Sequence, residues 1–181
     1  MSALLVTLVK ELRTRIESEG AEVNGTLELT GIRLPPLQVH VLDLLEEENG
    51  IREYYAERKI NTQVIRSLEH NLYELIYRGL RQAVEQTLYF DRTQDYTSRR
   101  FVFSTTDCIS NVQILYRNGV AKLFAHIRST DVVKLLPWDL LFLCKLINRV
   151  LQECEFPLTE EREVVVTIGS AHYYLTPDSM Y

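Results

Sequence analysis

The chain has 181 residues, 46% hydrophobic and 25% charged, a length and composition that suit one soluble globular domain. Such a domain buries roughly two-thirds or more of its unfolded surface, so neither a disulfide framework nor a metal staple is required. The net charge of -5 and pI near 5.4 argue against a nucleic-acid coat or a basic membrane patch, but leave room for a small arginine pocket that binds one phosphate.

Leu5, Leu8, Leu12 and Ile16 recur at helical spacing, which predicts an amphipathic helix over 3–18, ended by Gly20. The alternation in TLELTGIRL (26–34) predicts a strand stopped by Pro35-Pro36. LQVHVLDLLEEE (37–48) reads as helix with a break at Asn49-Gly50, followed by a short helix over 51–60. Thr62 to Leu88 is the longest helical pattern, and Gly79 inside it marks either close packing or a break. DRTQDYTS (91–98) reads as a polar loop.

The period then changes. Segments 99–104, 110–117 and 120–127 are strand-like, and Asn118-Gly119 is a two-residue hairpin signal. Residues 139–152 return to helix, and 163–169 and 172–175 are strands again. No repeat, low-complexity stretch or linker interrupts the chain. The reading is a single α+β domain over 1–181 with a mostly antiparallel mixed sheet packed with helices.

The cysteines are Cys108, Cys144 and Cys154. Their odd number and spacing fit a reducing compartment, and no CxxC or HxxxH pattern suggests a metal. The first residues lack the basic, apolar, small order of a signal peptide, and no apolar run approaches the roughly 18 residues of a membrane span. A cytoplasmic protein without membrane or nucleic-acid partners is expected.

Taken singly, the polar residues of the second half have ordinary readings. Each cysteine reads as a small buried hydrophobe. Arg128-Ser-Thr-Asp131 reads as a turn with a capping Asp131, and Asp139 as the N-cap of the following helix. His172 and Tyr174 share one side of a strand and read as semi-buried hydrogen-bonding residues. Jointly they form S-R-R, then C-x4-Q-x5-G-x8-R-S-x-D-x5-P-x-D, then G-x-x-H-x-Y.

That pattern resembles thymidylate synthase and the related pyrimidine nucleotide hydroxymethylases, most strongly over 97–176 and more loosely through the first helix and Asn24-Gly-Thr. The resemblance implies a thymidylate synthase-like fold, dimerising through its sheet, and a transferase of nucleotide biosynthesis. Cys108 corresponds to the nucleophile that adds to C6 of a pyrimidine and makes C5 reactive. Arg128 would stabilise its thiolate and bind the nucleotide phosphate, which Ser129 would also touch. Arg99 and Arg100 correspond to a pair that reaches the phosphate in the other subunit, giving a homodimer with shared sites. Gln113 would lie under the nucleotide, Asp131 would hold the base or the turn, and His172 and Tyr174 would hold the sugar hydroxyl.

Asp139 stands where uracil-using members carry asparagine. A carboxylate accepts from the N4 amino group of cytosine and, with a shared proton, serves N3 as well. The resemblance therefore implies C5 hydroxymethylation of a pyrimidine nucleoside monophosphate, dCMP or CMP, with 5,10-methylenetetrahydrofolate. The alternatives are methylation of dUMP and a shortened member that binds nucleotide or a partner chain without turnover. The general acid of the family falls in LDLLEEE, which offers Asp43, Glu46, Glu47 or Glu48; Asp43 has the best register and Glu46 is the next choice, against the plainer reading of a solvated acidic helix face for each.

Departures from the family pattern are Asp107 before the cysteine in place of proline, a short Ser104–Cys108 segment, and Ala21-Glu22-Val23 where a phosphate arginine is expected. With Tyr181 as the last residue, a pocket without the C-terminal segment that closes many members over folate is expected.

Overall fold

A computed structural model of the chain describes residues 3–91 and 95–175. The first predicted helix is α1 (Leu4–Glu19), which buries Leu5, Leu12 and Ile16 with Val6 and Val9. The Glu47 carboxylate accepts the Leu4 and Leu5 N–H groups at 2.8 and 2.9 Å, satisfying two donors that a helix start leaves open. β1 (Ala21–Val23) and β2 (Thr26–Arg33) pair as a hairpin.

The helix expected over 37–48 starts only at Leu44. Leu37–Gln38 form a short strand, β3, and Val39–Val41 a 3-10 turn. Asp43 then caps α2 (Leu44–Arg58), accepting the Leu45 and Glu46 N–H groups at 3.0 and 3.1 Å. Nor does α2 break at Asn49-Gly50. Gly50 lies so close to Ala3 that a Cβ there would overlap it, and the tight crossing with α1 outweighs the poor helix propensity of the pair.

The long helical pattern is continuous through α3 (Gln63–Leu68), a π-helical segment (Glu69–Tyr73) and α4 (Glu74–Asp91). Gly79 marks close packing, because a Cβ there would meet the Phe103 ring. Of the loop expected over 91–98, residues 92–94 lie outside the described residues.

β4 (Val102–Ser104), β5 (Ile109–Arg117) and β6 (Val120–Asp131) form a meander. Asn118 and Gly119 have φ of 51° and 79°, the left-handed pair that a type I′ turn demands. β6 runs four residues past the predicted strand, so Arg128–Asp131 belong to the sheet rather than to a turn. α5 (Leu136–Glu153) begins before Asp139, which sits inside its first turn rather than at its N-cap. The two strands predicted near the C-terminus are one, β7 (Glu161–Tyr174).

The described strands form one sheet in the order β1-β2-β7-β6-β5-β4, with β3 also on β7. β6 and β7 are parallel, joined through α5, and every other pair is antiparallel. Val112, Ile114, Leu123, Ile127, Val166 and Ile168 are buried, whereas their alternate neighbours Gln113, Leu115, Phe124 and His126 are half-buried or exposed. That alternation belongs to a sheet with one face on a helical core. No described helix is long and apolar enough to cross a membrane.

Candidate functional site

Because β6 and β7 are parallel, their C-terminal ends lie side by side. Ser129 is opposite Ser170, and Asp131 is opposite His172. Gly169 lets the strands close here, since a Cβ on it would stand 2.7 Å from the Arg128 carbonyl oxygen. Ser129 Oγ reaches His172 Nδ1 at 3.5 Å. Asp131 Oδ1 accepts the Val133 and Lys134 N–H groups at 2.9 and 3.0 Å and so fixes the turn into α5. The Lys134 ammonium stands 3.9 Å from Asp131 and 5.3 Å from the centre of the Tyr174 ring. Tyr174 meets His172 edge-on at 5.9 Å.

Cys108 joins this end from the neighbouring strand. β5 runs antiparallel to β6, so its beginning meets the end of β6, and the Cys108 carbonyl accepts the Arg128 N–H at 2.7 Å. The register shifts between Ile109 and Asn111, a bulge of the kind that re-aims side chains at a strand end. Cys108 is half-buried and Arg128 exposed. The structure thus brings Cys108, Arg128, Ser129, Asp131, His172 and Tyr174 to one end of the sheet.

Asp139 forms the floor behind them. It is 2% exposed, and both carboxyl oxygens are engaged. The Tyr73 hydroxyl donates to Oδ1 at 2.7 Å and the Thr130 hydroxyl to Oδ2 at 3.2 Å. Burial drives its pKa up to about 7, with Tyr73 and Thr130 pulling the other way. Burial therefore favours the neutral form of Asp139 more than in an exposed carboxyl. Burial, and next the charge of Asp139, raise the Cys108 thiol above its ordinary value, while Arg128 lowers it. A proton on Asp139 removes the second of these effects, so the two groups are electrostatically linked. Cys144 and Cys154 are buried thiols pushed up to about 12 and 11, as befits packing residues.

Tyr73 and Thr130 are site residues that sequence reasoning missed. Thr130 fills the unspecified position of R-S-x-D, and its burial follows from the extension of β6. Tyr73 sits among the apolar residues of the long helix, stacked on Phe142 at 4.2 Å, and nothing in helical spacing separates it from a core aromatic.

Other expected residues lie elsewhere. Gln113 does not lie under the site of its own chain. It is five residues along β5 from Cys108, about 17 Å, on the face opposite the helical core, where its side-chain amide donates to the Arg99 carbonyl at 2.9 Å. Arg99 and Arg100 are exposed before β4 and are equally remote, because Val102 is opposite Gln113. Asp43 and Glu46 are also displaced. α2 is antiparallel to α5, with Glu48 on Lys145 at 2.5 Å and Arg52 over the Trp138 ring at 5.3 Å. The start of α2 therefore lies towards the far end of α5 from Asp139. Asp43 is occupied as a cap and Glu46 is exposed.

Two cavities flank Trp138. One of about 340 Å³ is lined by Tyr73, Tyr77, Trp138, Phe142, Lys145 and Arg149 among others. The second, about 470 Å³, is bounded by Arg52, Tyr55, Ile65, Arg66 and Trp138. The Trp138 indole N–H is buried without a hydrogen-bond partner among the described residues, a rare state for a native donor. Cys108 lines neither cavity. No family model matches the chain, and no curated protein matches it.

Proposed function

We propose that the chain hydroxymethylates C5 of a cytosine nucleoside monophosphate through a covalent Cys108 adduct. The observation that carries this reading is the gathering of Cys108, Arg128, Ser129 and His172 at one end of the sheet, with the buried Asp139 behind them, its carboxyl pushed by burial towards the neutral form. Cytosine offers a donor at N4 and an acceptor at N3. A neutral carboxyl offers one acceptor and one donor side by side, which matches that edge. The same proton lowers the electrostatic cost of a thiolate at Cys108.

In this reading Arg128 and Ser129 hold the phosphate, helped by Arg99 and Arg100 of a second copy paired through the open sheet face. His172 and Tyr174 hold the sugar hydroxyl. Cys108 would add to C6 and make C5 a carbon nucleophile; C5 would then take the one-carbon unit and lose its proton, tetrahydrofolate would leave, and water would add to the exocyclic methylene as the C6–sulfur bond breaks. The residues around Trp138 suit a folate. The stacked Tyr73 and Phe142 offer flat apolar surface and Trp138 a donor without a partner among the described residues, whereas Lys145 already pairs with Glu48 and Arg149 with Glu74 and Glu153, so a folate's carboxylates would have to displace those ion pairs. 5,10-Methylenetetrahydrofolate supplies a one-carbon unit at the formaldehyde oxidation level.

A second reading is favoured by the raised Cys108 thiol and by the distance of Asp43 and Glu46 from the site: a family-like chain that binds the nucleotide without turning it over. Methylation of dUMP is the third outcome. Incubation with isotopically labelled dCMP, CMP and dUMP plus methylenetetrahydrofolate, read by mass spectrometry, separates them. Hydroxymethylated dCMP or CMP is expected. Methylated dUMP, or bound nucleotide returned unchanged, would overturn the proposal.

A further inference from the structure

We infer that the cavity bounded by α2, α3 and the start of α5 is a binding site for a small aromatic carboxylate, whose charge Arg66 and Arg52 hold and whose ring packs on Trp138 and Tyr55. The site does not depend on any reaction at Cys108, which does not line it. Its volume of about 470 Å³ suits a small organic molecule.

The apolar part is rigid on one side and loose on the other. Tyr55 and Ile65 are buried, and the Tyr55 hydroxyl is tied to the Lys134 carbonyl. Trp138 meets Tyr55 edge-on at 6.3 Å, so a flat ring entering here finds aromatic surface in two orientations. The Trp138 indole N–H has no hydrogen-bond partner among the described residues. Packing alone holds the indole, which can turn towards a ligand acceptor without breaking a hydrogen bond.

The charges select an anion. In the neighbouring cavity the cations are already answered, Lys145 by Glu48 at 2.5 Å and Arg149 by Glu153 at 2.9 Å. Glu48 also answers Arg52, at 2.6 Å, so one carboxylate serves two cations. Arg66 adds a third cation and has no hydrogen bond or ion pair among the described residues. Glu69 brings a second carboxylate to the rim, three residues from Arg66 along the continuous helix, but no bond joins the two. Three cations thus face two carboxylates, which leaves one positive charge for a monoanion. The guanidinium fork of Arg66 matches a carboxylate in geometry as well as in charge. Arg52 lies over the Trp138 ring at 5.3 Å, which places the second guanidinium beside the aromatic wall.

The test uses the chain without nucleotide or folate. Fluorine NMR follows para-trifluoromethylbenzoate, with the corresponding amide and benzylamine as neutral and cationic probes. Trp138 is the only tryptophan of the chain, so its fluorescence reports entry of the probe. The acid is expected to bind about tenfold more tightly than the amide or the amine and to change the Trp138 emission. Arg66→Gln, at an exposed position, is expected to weaken the acid about tenfold. Glu69→Gln removes the opposing charge and is expected to tighten it about twofold, a gain that no loss of structure produces. An acid that does not bind, an amide that binds as well, or an unchanged affinity in Arg66→Gln overturns the site. So does a weaker affinity in Glu69→Gln, or binding that leaves the Trp138 emission unchanged. None of these results touches the labelled-nucleotide incubation, so the site and the pyrimidine reading fail separately.

Discussion

At the residue scale, Asp139 ties stability to pH. Its pKa is raised on folding, so the folded chain holds more protons than the unfolded chain between the ordinary carboxylate value and about 7. Stability from this group is therefore full at low pH and lost as pH rises through that window, by about 4 kcal/mol in total. Asp139→Asn removes the titration while keeping an acceptor for Tyr73. Denaturant unfolding from pH 4 to 8 should show the variant gaining on wild type by a few kcal/mol as pH rises. A difference that is flat with pH would contradict a buried, titrating Asp139. The sequence placed Asp139 at the start of a helix, where the structure has it within the first turn. Its engagement by Tyr73 and Thr130 was not legible there, because those partners come from distant segments and one is an unspecified motif position.

At the element scale, local signals set the hairpin, α1 and α5 well, because Asn118-Gly119 and the apolar spacing act within a few residues. They failed where a contact between distant segments decides. Asn49-Gly50 looks like a break until Ala3 is packed against it, and Glu47 looks solvated until it caps α1. Asp43 and Glu46 were candidates by family resemblance and register, and the antiparallel course of α2 against α5 carries them away from Asp139. Gly79 offers a direct test. Gly79→Ala gains up to about 1 kcal/mol of helix propensity but drives a Cβ into the Phe103 ring, an overpacking that costs about 1–3 kcal/mol. A net loss of about 1 kcal/mol in urea unfolding is expected, relieved when Phe103→Leu is added. A stabilised Gly79→Ala would mean that α4 and β4 are not in contact there.

At the scale of the whole molecule, the mixed sheet gathers residues scattered over 108–174 at one end, because β6 and β7 are parallel and β5 returns beside them. The same sheet carries Arg99, Arg100 and Gln113 away from that end, so the proposed phosphate pair can serve only a neighbouring copy. Mixing Cys108→Ser chains with Arg100→Ala chains, each inactive alone, should restore about a quarter of wild-type activity if the copies pair at random and each shared site draws on both chains. A mixture as inactive as its parts would contradict shared sites. The central claim, covalent attack by Cys108 on a pyrimidine, is tested most directly by intact-mass analysis with 5-fluoro-dCMP and methylenetetrahydrofolate. Fluorine at C5 cannot leave as a proton does, so the adduct should persist as a mass gain of nucleotide plus folate, map to Cys108 and be absent in Cys108→Ser. No adduct, or one that survives in Cys108→Ser, would contradict the account.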